Sequence, residues 1–405
     1  MDSQLLPELN EAFFTYVKHH LGEDVLRLRL KRDTRTDFSQ QLAITQIEAR
    51  NRRLEKKIPD WCAHERVVFP SLLSTEQCSS QETALYKQRL VYGHSLCDLT
   101  GGLGVDTYFM AQCVDEAVYV EHDALYCHVA RHNFAELGMN NITVYNSDCN
   151  QFLAESTRQF DTIFIDPARR GKSHERLYAL ADCEPNVLDM MPMLLARCKR
   201  LIIKLSPMVD ISMLRQEIDR LCKLYVVSLH NECKEILAVI DAETLENEID
   251  EHDVMCAVIG RSGDVKELSF DYDKEAQAPC PMAQEVGAYL YEPDTALLKA
   301  GMFRSICSVY NVQKLHKNSH LYTSHAMVEG FVGRSFRIVE VLPFSSSLCK
   351  GFARQYPACN ITTRNFPLSA VELRKKLRVQ DGGEVYLFAT TMVDNSLVLI
   401  VCNKI

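Results

Sequence analysis

The stretch Leu96-Cys-Asp-Leu-Thr-Gly-Gly-Leu-Gly-Val-Asp-Thr107 constrains this chain more than any other. A short apolar run ends in an acid, Asp98, and a glycine cluster follows. Tyr108 to Val114 is then apolar-rich with helical spacing. That succession predicts a parallel strand turning into a helix whose N-terminal N–H groups face a ligand. Gly101, Gly102 and Gly104 permit positive φ and a close backbone approach that any Cβ would block. The apolar run Ala117-Val-Tyr-Val120 ends in Glu121, 23 residues beyond Asp98, where an acid can take both hydroxyls of a ribose. A third run, Ile142-Thr-Val-Tyr145, leads into Asn146-Ser-Asp148, and a fourth, Phe160 to Ile165, into Asp166-Pro-Ala-Arg169. Four strand ends, each with an acid, form one lip of an open sheet.

Two other nucleotide folds share a glycine turn. A dinucleotide fingerprint wants Gly-x-Gly-x-x-Gly/Ala, and counted from Gly102 its last place falls on Thr107. No Gly-Lys-Ser/Thr follows, which excludes a P-loop. The order of parts instead resembles class I S-adenosylmethionine-dependent methyltransferases. The resemblance implies that Asp98 and the glycine loop (Thr100, Gly101, Gly102, Gly104, Asp106) lie near the methionine moiety of S-adenosylmethionine. It puts Glu121 on the ribose and Asp148 at the adenine amino group. Asp166, Pro167 and Arg169 would serve the methyl acceptor.

The amino-methylating branch of that class carries (Asp/Asn)-Pro-Pro-(Tyr/Phe/Trp) at the fourth strand end. Here the acid and first proline are present and the aromatic is replaced by Arg169, able to stack on a base or contact phosphate. Carbon-5 pyrimidine methylation needs an attacking thiolate, and Leu205-Ser206-Pro207 after the fifth strand offers none. Lys204 could act as a base only with a strongly depressed pKa.

Around this core the chain reads as an N-terminal helical region (1–87), a Rossmann-like methyltransferase domain (88–262), and two small α+β domains (263–332 and 333–405). Leu5, Leu9, Phe13, Phe14 and Val17 recur at helical spacing, and Ile58-Pro-Asp-Trp61 reads as a boundary. Ser79 or Ser80 can cap a helix carrying Thr83, Tyr86 and Lys87, which leads into the first strand and could form one wall of the pocket. Helix Ala124 to Leu137 stops at Gly138, where a C-cap belongs. Asp182 and Met190 to Arg200 precede a fifth strand, Arg200 to Leu205, and Leu224–Leu229 and Glu235–Ile240 then read as a closing hairpin. Val254 to Ile259 reads as a further strand. In the last segment Ser335–Val341 reads as a strand and Ser369–Leu377 as a capped helix with Asp381-Gly-Gly383 as its turn. Val385–Thr390 and Ser396–Val401 then pair as a hairpin. The Leu-Arg-Lys-Lys-Leu, Asp-Gly-Gly and Tyr-Leu-Phe-Ala-Thr run resembles the C-terminal THUMP-like domain of a bacterial methyltransferase group. The ferredoxin-like piece that precedes that domain is similar to Tyr291–Tyr322.

Partners must be argued locally, since the chain of 405 residues has a net charge of −9. Arg27-Leu-Arg-Leu-Lys-Arg32, Arg50-Asn-Arg-Arg53 and Lys56-Lys57 read either as an RNA-facing surface or as a solvated helix face. Arg169-Arg-Gly-Lys172 is a loop able to meet an anionic substrate. Lys299 to Arg354 holds eight Lys/Arg against two Glu, with Tyr310 and Tyr322 interleaved, a composition suited to stacking and phosphate contact with RNA. Asp241 to Asp253 carries seven carboxylates and reads as a solvated loop. The 16 cysteines form no Cys-x-x-Cys pair and read as buried hydrophobes in a reducing compartment, so neither disulfides nor a metal site are expected. No apolar run approaches the roughly 18 residues of a membrane span, and the N-terminus lacks a basic and an apolar region, so a cytoplasmic location is expected. The leading expectation is methylation of a nitrogen or oxygen of an RNA base. The alternatives are a small-molecule or protein acceptor, or a non-catalytic module that binds cofactor and RNA.

Overall fold

The computed structural model describes residues 7–31, 37–52, 54–169, 180, 183–218, 222–242 and 254–405. Leu5, Arg32, Arg53, the Arg170-Gly-Lys172 loop, Asp182 and the acidic stretch from 243 to 253 lie outside the described residues, as does the side chain of Arg169. The chain divides into two compact units, Met1–Lys223 with Ile236–Ile249, and Leu224–Glu235 with Asp250–Ile405.

In the first unit, six short α-helices precede the sheet among the described residues: Glu11–His19, Val25–Leu30, Gln40–Asn51, Pro59–Ala63, Leu72–Gln77 and Gln81–Gln88. Each except Pro59–Ala63 is opened by an Asn, Asp or Ser whose side chain accepts from a backbone N–H of the first turn. From Leu9 to Val17 the helical spacing holds: Phe13 and Val17 are buried with Leu42 and Ile47, and Leu9 and Phe14 pack against them. Ile58-Pro-Asp-Trp61 is no boundary. Pro59 starts a helix, and Trp61 is fully buried in one cluster with Val105 and Phe109, from the helix after the glycine loop. The basic residues of this region are largely spent inside it. Arg29 and Arg52 pair with Glu48 at 2.7 and 2.5 Å, Arg50 donates to the Val67 carbonyl at 2.8 Å, and Lys57 donates to the Thr75 carbonyl at 3.0 Å. The solvated-face reading is the nearer one, with several of these cations tying helices together.

The strands of this unit are β1 (Ser95–Asp98), β2 (Glu116–Glu121), β3 (Ile142–Asn146) and β4 (Phe160–Ile165). A two-residue ladder follows, β5 (Ala168–Arg169) with β6 (Cys183–Glu184), and then β7 (Cys198–Leu205). β8 (Cys222–Leu229) and β9 (Glu232–Asp241) follow in the chain, joined by His230 and Asn231, both at positive φ as a tight two-residue hairpin turn requires. The order within this unit is β3-β2-β1-β4-β7-β9, parallel up to β7, with β9 antiparallel to it. Near-continuous burial along β2 and β4 is what a parallel strand covered on both faces demands. The chain winds outward from β1 through β2 to β3, then returns to the other side of β1 with β4. That reversal makes a crevice outside the carboxyl ends of β1 and β4.

Of the three glycines, Gly102 and Gly104 have φ of +54° and +90°, whereas Gly101 does not. Gly101 is needed for a different reason: a Cβ there would lie 2.1 Å from the Tyr119 ring, which is fully buried. Gly138, at φ +74°, follows the last residue of the helix Ala124–Glu136 by two positions and ends it in the left-handed conformation.

The second unit holds β8 paired parallel to β10 (Val254–Ile259), which pairs antiparallel with β11 (Val265–Phe270). Its larger sheet comprises β12 (Tyr289–Pro293), β13 (Gln313–Lys314), β14 (Tyr322–Ser324), β15 (Gly333–Pro343), β16 (Ala358–Arg364), β17 (Gln380–Thr391) and β18 (Leu397–Lys404), in the order β13-β14-β12-β15-β18-β17-β16. Because β12 and β15 pair antiparallel, the segments on either side of residue 332 share one sheet. The helices Ser346–Gln355 and Ala370–Leu377 bury Cys349, Phe352, Leu373 and Leu377 on one side of this sheet with Leu387 and Leu399. Ser369 and Glu372 form a reciprocal capping box.

Asp381-Gly-Gly383 is not a turn. The helix ends at Arg378 in the left-handed conformation, and the three residues lie inside β17 as an irregularity. There the register jumps from Cys359↔Asp381 to Asn360↔Tyr386, with Gly382 and Gly383 at φ +92° and +82°. The interleaved tyrosines are not a stacking platform. Tyr322 is fully buried and donates to the Phe303 carbonyl at 2.6 Å, and half-buried Tyr310 accepts from the Val332 N–H at 3.2 Å.

Replacing Gly101 with alanine is expected to lower the unfolding free energy by about 1–3 kcal/mol, the cost of overpacking against an immobile ring. Urea titration of wild type and Gly101→Ala measures it.

Candidate active site

Asp98 closes β1 and is buried. One carboxylate oxygen accepts the Thr100 N–H at 3.0 Å and the other the Thr107 hydroxyl at 2.5 Å. Burial drives its carboxyl up to about 7, against the two hydrogen bonds, which favour the charged form. Thr100 faces both ways: its N–H serves Asp98, and its hydroxyl accepts the Asp166 N–H at 2.6 Å. The ends of β1 and β4 are thereby laced together across the crevice.

Glu121, at the end of β2, stands beside the glycine loop. It accepts from the Gly102 N–H at 3.0 Å and the Asp123 N–H at 2.9 Å, and lies 2.8 Å from His122 Nδ1. The Tyr119 hydroxyl donates to the Gly102 carbonyl at 2.5 Å, so the loop is gripped from both sides. On the outer side of Gly102 a Cβ would meet nothing nearer than 3.8 Å, which leaves that face of the loop open. Asp148 is exposed and caps the helix Cys149–Glu155, accepting the Asn150 and Gln151 N–H groups at 2.8 and 3.2 Å on one oxygen. Glu121 and Asp148 thus follow successive strands, each presenting a carboxylate.

Asp106, assigned above to the cofactor, is engaged elsewhere. Its carboxylate accepts the Ser79 hydroxyl at 2.7 Å and lies 3.2 Å from the Lys87 ammonium and 3.4 Å from that of Lys204. Burial alone would raise its carboxyl; the two lysines and the serine hold it below the ordinary carboxylate range. Lys87 is fully buried. Ser80, not Ser79, caps the helix that carries it. Lys204, near the end of β7, also lies 2.6 Å from Asp166, whose side chain is 39% exposed. Pro167 follows Asp166, and the two-residue ladder of β5 and β6 begins at Ala168.

Ser79 and Thr107 join the site without being marked for it by the sequence, whereas the sequence places Lys87 in a candidate pocket wall and weighs Lys204 as a base. The signal for Lys204 is a cation directly after the apolar run Leu201–Ile203, in a strand that also carries Lys199 and Arg200, and for Lys87 a cation on a face that also carries Tyr86 and Thr83. Among the described residues no group of His, Cys, Asp and Glu side chains is arranged to hold a metal ion, and no helix is long and apolar enough to cross a membrane.

Asp98, the glycine loop and Glu121 lie together at the ends of β1 and β2, with the Gly102 face of the loop open. Together with the strand order, they define the class I methyltransferase architecture. Comparison with known proteins agrees. A crystal structure entitled "putative methyltransferase from Porphyromonas gingivalis W83" is 35% identical, with a TM-score of 0.88 over 97% of each chain. An uncharacterised S-adenosylmethionine-dependent methyltransferase of Mycobacterium tuberculosis is 22% identical over 356 residues, covering 85% of this chain and 91% of that protein. Residues 289–331 match a ferredoxin-like domain and 333–404 a THUMP domain-like family. The chain belongs to this family of S-adenosylmethionine-dependent methyltransferases with ferredoxin-like and THUMP-like segments at the C-terminal end.

The raised pKa of Asp98 has a sign that can be measured. Between the ordinary carboxylate value and about 7 the folded protein holds one proton more than the unfolded chain, so this group's contribution to stability falls as pH rises. Asp98→Asn removes that dependence. The difference in unfolding free energy between variant and wild type is expected to move in the variant's favour by up to about 1.4 kcal/mol per pH unit from pH 5 to 7. Denaturant unfolding at several pH values reads it.

Proposed function

We propose that this methyltransferase acts on RNA, holding S-adenosylmethionine at the ends of β1, β2 and β3 and receiving the acceptor at Asp166. The sulfonium supplies an electrophilic methyl group, and little covalent work is left to the protein beyond alignment and charge. Asp98 and the Gly101–Gly104 loop would face the methionine end, Glu121 would take the ribose hydroxyls, and Asp148 the adenine amino group. Thr100 fixes the distance between that pocket and the acceptor side, because it bonds both Asp98 and Asp166. Asp106 supports the site indirectly by holding Lys87 and Lys204.

The observation that carries the RNA reading is the outer face of the THUMP-like segment. Its two helices bury one side on the sheet and expose Lys350, Arg354, Lys375 and Lys376 on the other. Arg337 and Arg378 are exposed as well, whereas Arg334 and Arg364 are committed to buried Glu292 and Lys314 is buried. Phosphate contact, not aromatic stacking, would therefore supply affinity.

Titration calorimetry with S-adenosylhomocysteine and NAD tests the pocket. Only the former is expected to bind, and Glu121→Ala is expected to weaken it by roughly 1.5–3 kcal/mol, the range for hydrogen bonds to a charged group. Binding to structured RNA is expected to fall with salt, and Lys375→Ala with Lys376→Ala to lower the log–log slope by about 1 to 2. Salt-independent binding or none would leave a small-molecule or protein acceptor.

A further inference from the structure

Lys204 is the group at the acceptor side that the proposed function has not used. β7 is apolar from Leu201 to Ile203, and Lys204 interrupts it with a side chain only 13% exposed. Its ammonium stands 2.6 Å from Asp166 and 3.4 Å from Asp106, and Asp106 is in turn 3.2 Å from Lys87. Ammonium groups and carboxylates alternate from Lys87 through Asp106 and Lys204 to Asp166.

We propose, resting on the RNA reading above, that the acceptor atom is an alcohol oxygen, the 2′-hydroxyl of a ribose, and that Lys204 is the positioning residue that favours it by acting through Asp166. The reason is the sign of the charge that develops. An amine nitrogen gains positive charge as it takes a methyl group, and an ammonium held against the acid that receives it opposes that change. A hydroxyl whose proton moves toward Asp166 ahead of the methyl does the opposite: its oxygen gains negative charge before the new bond forms, and the same ammonium stabilises it. Lys204 also bonds one carboxylate oxygen of Asp166, and among the described residues the other is left to accept an O–H. The aromatic ring that would clamp a flat base after the tetrapeptide's prolines is absent from Asp166-Pro-Ala-Arg169. In RNA the 2′-hydroxyl is the group that fits this donor pattern, and it is the one that separates RNA from DNA. In the transfer, the hydroxyl oxygen forms a bond to the methyl carbon as that carbon leaves sulfur, which keeps the electron pair. The hydroxyl proton passes to Asp166 and on to water, and Lys204 keeps its own proton throughout.

The test incubates the whole protein with methyl-deuterated S-adenosylmethionine and total RNA from cells lacking it, followed by digestion to nucleosides and mass spectrometry. Label in 2′-O-methylnucleosides is expected. Label on a base nitrogen or carbon would overturn the inference and leave the RNA reading standing. No label in RNA, from protein that binds S-adenosylhomocysteine, would remove the RNA reading and this inference with it. Lys204→Gln is expected to lower kcat at least about 100-fold, with acceptor KM and calorimetric affinity for S-adenosylhomocysteine within about threefold of wild type. Lys204→Arg is expected to recover at least about tenfold of that loss. An unchanged kcat in Lys204→Gln, or a loss of S-adenosylhomocysteine affinity that accounts for the loss of rate, would overturn the role given to the lysine.

Discussion

Thr100 bonds two strand ends at once. Its N–H closes on Asp98 and its hydroxyl receives the Asp166 N–H, so the first residue after β4 is hung from the loop after β1. Those two strands are neighbours only because the sheet reverses its winding between them. A threonine suits the position because it supplies a backbone donor and a side-chain acceptor. Around it the loop admits no Cβ at Gly101 and needs left-handed backbone at Gly102 and Gly104. A burial cost is carried at the same place: the Asp98 carboxylate is out of water, and its pKa near 7 shows that two hydrogen bonds only partly offset the desolvation.

The second organising feature is electrostatic. Lys87 and Lys204 converge on Asp106, and Lys204 reaches on to Asp166. Buried ion pairs contribute little net stability, since desolvation consumes most of the attraction. Their better use is to fix geometry, and these pairs tie the helix Gln81–Gln88, the helix Val105–Ala111, β7 and the end of β4 to one another. A site that must align an acceptor within a fraction of an ångström gains from such ties.

In the C-terminal unit the same residue types divide by partner. Arg334 and Arg364 are held by a buried glutamate, whereas Lys350, Arg354, Lys375 and Lys376 face solvent from helices whose other sides are apolar. A count of basic residues along the chain does not separate the two groups. Burial does, and it also removes Tyr322 from any surface role.

What the chain could declare on its own were features local in sequence. Strand ends marked by Asp98, Glu121 and Asp166, the glycine loop, the capped helix at Ser369 and the apolar faces of helices all depend on residues within a few positions of each other. Period and turn chemistry read them directly. Asp381-Gly-Gly383 misled because glycines at positive φ serve a bulge as readily as a turn, and only the pairing partner, β16, distinguishes them. Trp61 misled in the same way, since a Pro-Asp pair beside it marks a chain break or a helix start equally well. Lys204 meets Asp166 across 38 residues and Asp106 across 98, and no spacing rule spans those distances. Tertiary structure alone decided which charges would neutralise one another, because a charge's partner is set by the order of strands in the sheet, not by the order of residues in the chain.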